Sequence, residues 1–132
     1  MGFEELPHTA DCALRVWAPD LAALFVEAAL GLNSLAGAAI GGGPRVTRDI
    51  LLHSSDTESL LVSFLAELIY VQEQEHLGFD EFQLLVANYG VSGKMEGSRL
   101  SSLMRPVKAV TFHNLKILNT ARGCETEIVF DV

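Results

Sequence analysis

Three stretches of this chain carry side chains whose chemistry is out of keeping with their surroundings. Pro7-His8-Thr9-Ala10-Asp11 sets an imidazole and a carboxylate three residues apart at the entry to an alternating segment. Pro106-Val107-Lys108-Ala109-Val110-Thr111-Phe112-His113 puts the Lys108 amine in phase with Val110 and Phe112, on the apolar side of a strand or at its rim. Ile128-Val129-Phe130-Asp131-Val132 holds Asp131 between two apolar neighbours, and a carboxylate buried there needs donors, a cation or a metal. If Asp11 and Asp131 meet at one corner of a sheet, the two acids repel and one pKa rises unless a cation lies between them. Oxygen-only ligands select a hard ion, calcium or magnesium, over zinc. Each residue also has a plainer reading. His8 and Asp11 suit a turn whose side chains bond backbone donors, and Lys108 suits a stem laid on apolar surface with its head in water.

Other chemistries are excluded by pattern. No GxGxxG precedes a helix, and there is no GxxxxGK[ST], GxSxG or HExxH. The glycines at 41–43 lead into Pro-Arg-Val and a strand, so they open no helix N-terminus for a phosphate. Cys12 and Cys124 match neither a disulfide framework nor a metal-ligand spacing, and Cys12 lies on the apolar phase of its strand.

These residues need a scaffold, and 132 residues suffice for one domain spanning 1–132. With 49% hydrophobic and 20% charged residues and a mean hydropathy of +0.30, the chain is not disordered. Nine Lys and Arg against seventeen Asp and Glu give a net charge of −8, which repels phosphate backbones at long range. The charge is uneven: residues 56–81 hold seven acids and no Lys or Arg, whereas residues 94–122 hold six bases against Glu96. This suits either solvated faces or docking to a charged partner. Acids at Glu4 and Glu5 argue against a signal peptide. The apolar stretch Leu21–Ile40 is interrupted by Glu27 and Asn33-Ser34, so it reads as a buried helix and not a membrane span. A reducing cytoplasm is the expected compartment.

Strand signals cover Phe3–Leu6 and Asp11–Trp17, and a helix follows Pro19-Asp20, ending at 41–43 at the latest. Arg45–Leu52 is the next strand. Ser55-Asp56-Thr57-Glu58 offers a capping box with Ser55 as cap, and Gly78 is the expected left-handed end of that second helix. Strands at Phe79–Tyr89, Val91–Leu100, Val107–Leu118 and Glu125–Val132 complete the chain. Consecutive strands without intervening helices imply antiparallel pairing. The fold class is α+β, with two helices packed on one face of a largely antiparallel β-sheet.

The same residues resemble a known family. His8-Thr9-Ala10-Asp11 is similar to the HTAD opening of the archeases, and Leu24-Phe25-Val26-Glu27-Ala28-Ala29 to their first helix. Asp56-Thr57-Glu58-Ser59-Leu60-Leu61-Val62 resembles their second-helix entry, Val107-Lys108-Ala109-Val110-Thr111-Phe112-His113 their KAVT-aromatic-His strand, and Phe130-Asp131-Val132 their closing aspartate. Cys12 stands where a branched aliphatic is commoner, a departure that leaves the polar set untouched.

The resemblance implies a small cytoplasmic accessory protein of the tRNA-splicing RNA ligase. Such proteins promote the ligase's guanylyl-histidine intermediate, support its turnover and broaden its nucleotide use. It implies a divalent ion, calcium by preference with magnesium as the variant, held by Asp11, Asp131 and the carboxyl or carbonyl of Val132. Lys108 then belongs to the partner-activating surface with both acids, His8 and His113 are outer neighbours of the ligands, and any RNA contact is indirect or weak. A chaperone-like adaptor for enzymes such as tRNA methyltransferases is the alternative. A metal-dependent hydrolase using Asp11 and His8 lacks a recognisable nucleophile or base pair.

Overall fold

The computed structural model describes residues 1–7, 11–112 and 114–132; His8, Thr9, Ala10 and His113 lie outside the described residues. Strands β1 (Gly2–Leu6) and β2 (Cys12–Ala18) lead into helix α1 (Leu21–Ala36). Then come β3 (Ala38–Ile40), β4 (Val46–His53) and helix α2 (Thr57–Glu75). Strands β5 (Leu77–Ala87), β6 (Gly90–Leu103), β7 (Ala109–Thr111), β8 (Leu118–Thr120) and β9 (Gly123–Asp131) close the chain. The α+β class and the antiparallel pairing agree with the sequence reading, but the strands divide into two sheets. One runs β1-β2-β9-β7 with β8 also on β9; the other is built on β6, which pairs with β3, β4 and β5.

Both helices touch both sheets. α1 packs on β1, β2 and β9 of the first sheet and on β3 and β5 of the second, while α2 meets β4, β5, β6 and β7. The apolar stripes foreseen for the helices meet in one core, where the Phe25 and Phe64 rings lie 5.4 Å apart. Leu24, Leu32, Leu60, Leu61 and Leu65 are fully buried there, each worth roughly 1.5–3 kcal/mol of apolar transfer. The polar interruption at Asn33 is resolved inside this packing. Its amide donates to the Phe79 carbonyl at 2.7 Å, and its side-chain oxygen accepts from Gln72 Nε2 at 2.9 Å, tying α1, α2 and β5 together.

The helix ends differ from expectation. α1 stops at Gly37, whose left-handed φ of 61° lets its N–H reach the Asn33 and Ser34 carbonyls; the chain turns at once into β3, which the sequence reading did not separate. Asp56, not Ser55, caps α2, accepting from the Ser59 N–H at 2.7 Å. Glu58 does not reach back; its Oε2 accepts from the Ile117 N–H at 3.2 Å instead. α2 ends at His76, with φ of 54°, and Gly78 is buried inside β5. Gly78 serves clearance there, since a Cβ would meet the Ile40 side chain at 2.9 Å. The expected strand at 107–118 is two short pieces, β7 and β8, both laid against β9. No helix among the described residues is long and apolar enough to cross a membrane.

Candidate functional site

The first sheet brings together segments that are far apart in the chain. Cys12 faces Phe130 across the β2–β9 ladder; Asp11 immediately precedes the one, and Asp131 immediately follows the other. Both carboxylates therefore leave the same end of the same strand pair. On the far side of β9, Ala109 faces Asp131, and the Lys108 N–H donates to the Asp131 carbonyl at 2.8 Å. That hydrogen bond fixes the start of β7 against the end of β9, with Val132 beside Lys108. Two of the site residues foreseen from sequence, His8 and His113, lie outside the described residues.

Strand alternation sorts these groups by face. Phe130 is fully buried and Val110 packs against the core, so Lys108, two residues before Val110, starts from the helix-facing side of the sheet. Asp131, Val129, Thr111 and Ala109 belong to the opposite face. Asp131 is exposed, which corrects the expectation of a buried acid: its apolar neighbours Phe130 and Val132 point the other way. Asp11 is half-buried. Lys108 is exposed at the rim, and the residue borders a cavity on the helix side. The sheet end thus presents two acids on one face and an amine rooted on the other.

Among the described residues no three His, Cys, Asp or Glu side chains cluster in a metal-holding arrangement. The candidate set instead has two carboxylates, Asp11 and Asp131, supplemented by a main-chain oxygen of Val132. An all-oxygen donor set suits a hard cation that keeps much of its water. One observation adds to the fit. The Thr111 hydroxyl oxygen is buried without a hydrogen-bond partner, two pairs in from Asp131 along the β7–β9 ladder and on the same face. Sequence reasoning treated Thr111 as part of a motif only; its register, two residues from Ala109 on the phase of Asp131, was the available signal.

Over the molecule, many of the charges in the acidic and basic segments are paired. Arg45 is held by Asp80 and by Glu96 (3.1 Å), and Arg48 by Glu75, so part of the acidic 56–81 segment is neutralised. Within 94–122, Lys94 pairs with Asp49 at 2.8 Å, Arg105 with Glu5 at 3.0 Å and Arg122 with Glu125 at 3.8 Å. Arg99, Lys108 and Lys116 form no ion pair among the described residues. The basic segment is therefore not one uninterrupted ribbon.

Comparison with known proteins matches the chain and its fold to a family. Residues 3–132 fit the family described as the Archease protein family (MTH1598/TM1083). The archease of Methanosarcina barkeri is 30% identical over 98% of this chain and 95% of its own length, and that of Pyrococcus furiosus 32% identical over 87% of both. Among solved structures, the Thermotoga maritima crystal structure described as an archease, possible chaperone, superposes with a TM-score of 0.71 at 18% identity, covering 98% of this chain and 96% of that one. The solution structure of Methanobacterium thermoautotrophicum protein 1598 gives the same TM-score at 23% identity, with 99% coverage of both chains. The helices, the antiparallel sheets and the matching of nearly the whole sequence agree: this chain belongs to the archease family.

Proposed function

We propose that this protein is a non-catalytic, cytoplasmic activator of a tRNA-splicing or RNA-repair ligase, promoting guanylylation of the ligase and its multiple turnover. The observation that carries the reading is that Asp11 and Asp131 flank the final rung of the β2–β9 ladder, with the main-chain N–H of Lys108 hydrogen-bonded to the same strand end and its side chain leaving from the other face. Family membership and the HTAD and KAVT resemblances support it. Asp11, Asp131 and Val132 would hold a divalent ion, most suitably calcium. Bound there, such an ion would supply positive charge at a strand end that otherwise carries two acids. The Lys108 ammonium, free of an acid partner among the described residues, is suited to neutralise a phosphate at the ligase's nucleotide pocket. The sequence carries none of the phosphate-loop or nucleophile-elbow motifs, and on this reading the chemistry belongs to the partner.

The test is to mix purified ligase, GTP and a divalent ion with this protein, then follow ligase guanylylation and RNA joining over many turnovers. Asp131→Asn and Lys108→Ala are expected to lower stimulation at least tenfold while remaining folded. Unchanged stimulation by both variants would end the proposal. A chaperone-like role toward RNA-modifying enzymes is the second reading. It is favoured by exposed apolar side chains, among them Leu51 at 71% and Leu85 at 66%, which face the same half-buried Ser92 from either side of β6. It predicts improved partner solubility that survives Lys108→Ala.

A further inference from the structure

The sheet built on β6 has one edge of unusual composition. β5 pairs with β6 alone, so the main-chain groups that Phe82–Ala87 turn the other way have no strand beside them among the described residues. That run, Phe82-Gln83-Leu84-Leu85-Val86-Ala87, holds no charge, proline or glycine. Open edges of this kind recruit further strands, and folded proteins blunt them by shortness, charge or proline. The other strands at the margins of the two sheets follow that rule. β1 carries Glu4 and Glu5, β4 carries Arg48 and Asp49 at its middle, and β3, β7 and β8 have three residues each. Beside the bare stretch, at Leu85 and Val86, opens a cavity of about 670 Å³ that reaches the first turns of α1 and α2. Leu21, Val86 and Ile117 contribute to its apolar wall and Asp20 and Glu58 are its charged side chains; no Lys or Arg among the described residues borders it. Both acids are engaged by neutral main-chain donors, Asp20 by the Ala23 N–H at 2.9 Å and Glu58 by the Ile117 N–H at 3.2 Å. Among the described residues neither acid is in an ion pair.

We propose that the outer edge of β5 takes up an extended segment of a partner polypeptide as an added strand, with an arginine or lysine of that segment reaching into the cavity. Main-chain hydrogen bonds to Phe82–Ala87 give the affinity. Alternation puts every second side chain of the added strand on the phase of Leu84 and Val86, the side that packs on the core. On that phase beside Val86, an arginine or lysine lays its methylene stem on Leu21, Val86 and Ile117 and sets its charge against Asp20 and Glu58. The helix starts do not reverse this balance. Each is worth about half a positive charge, whereas Asp20, Asp56 and Glu58 place three carboxylates at the same two ends. A second copy of this chain is the poorer occupant, because its own β5 offers Phe82, Leu84 and Val86 on that phase and none is cationic. The inference makes no use of Asp11, Asp131 or Lys108, so it and the activator reading fail separately.

The experiment titrates the isotope-labelled full chain with blocked heptapeptides of alternating threonine and valine whose central residue is arginine, methionine or glutamate, and follows backbone amide shifts and hydrogen exchange. Saturable shifts and slowed exchange within residues 82–87 are expected with arginine, with binding about three- to fivefold weaker for methionine and weakest for glutamate. N-methylation of alternate amides in the arginine peptide separates strand addition from side-chain docking, since an added strand donates to β5 through one set of amides alone. Methylating one set should abolish binding, and methylating the other should leave it unchanged. Asp20→Asn with Glu58→Gln keeps both acceptors and removes both charges, so this double variant should bind the arginine and methionine peptides alike. If it does not fold, Asp20→Asn alone must narrow the gap between them. Absence of saturable shifts within 82–87, equal binding of all three peptides by the parent, or a preference for arginine undiminished in these variants would each overturn the proposal. So would binding lost on methylation of either set or of neither, or self-association of the chain through these amides in place of peptide binding.

Discussion

At the scale of single residues, the polar groups that the sequence singles out differ in how far their neighbours could be read in advance. Asp11 and Asp131 were legible as a pair because each adjoins an alternating strand, and pairing of those strands puts them at one end. Their exposure was not legible, because it depends on which face of the sheet the helices cover. On the proposed reading, calcium at a hundredfold its dissociation constant raises stability by about 2.7 kcal/mol, and a chelator removes the gain. Asp11→Asn combined with Asp131→Asn should show no calcium-dependent shift in thermal midpoint. A second carboxylate provides a pH test. The Ser59 backbone N–H, with its hydroxyl, holds Asp56 below the ordinary carboxylate value. A lowered folded-state pKa stabilises above the ordinary value of about 4 and loses that contribution as pH falls through the folded-state value. Asn caps equally well without titrating. Denaturant midpoints of Asp56→Asn and the parent should therefore agree at pH 7 and separate near pH 2, where only the parent has lost its charged cap and is the less stable.

At the scale of elements, long periodic segments were legible and their ends were not. Both helices and the strands around Cys12–Ala18 and Gly123–Asp131 lie close to where alternation puts them. β3 was missed because three residues directly after a helix cap carry too little periodicity to separate them from the helix tail. The division of 107–118 into β7 and β8 was missed because a run of apolar and basic residues does not show where a strand leaves its partner. His76 as the end of α2 could not be anticipated, since a non-glycine residue at φ 54° is uncommon. The polar link through Asn33 is the element-level feature most open to test. Asn33→Ala strands the Phe79 carbonyl and the Gln72 amide in partly buried surroundings. The expected loss is about 1–3 kcal/mol per group left without a partner, read as a lower urea midpoint.

For the whole molecule, the α+β class followed from element order, but the separation into two sheets did not. Local pattern shows that strands pair, not which ones share a sheet. Because both sheets and both helices feed one core, unfolding should be a single event. Ile128 is fully buried on β9 and gives a clean probe. Ile128→Ala should cost about 2–5 kcal/mol. Trp17 fluorescence, reporting the first sheet, and helical circular dichroism, reporting α1 and α2, should lose signal at the same denaturant concentration. Separate midpoints would show that the sheets are independently stable.

The β2–β9 pairing has a consequence for biogenesis. β2 and β9 are more than a hundred residues apart in the chain, and β9 is the strand that joins β2 to β7 and β8. At about 5–20 residues per second on the ribosome, the edge of β2 waits roughly 5–20 s for its neighbour to be made. Throughout that interval the nascent chain carries an unzipped hydrogen-bonding edge beside a growing apolar helix, a state that invites transient protection until the last strand emerges and locks the sheet.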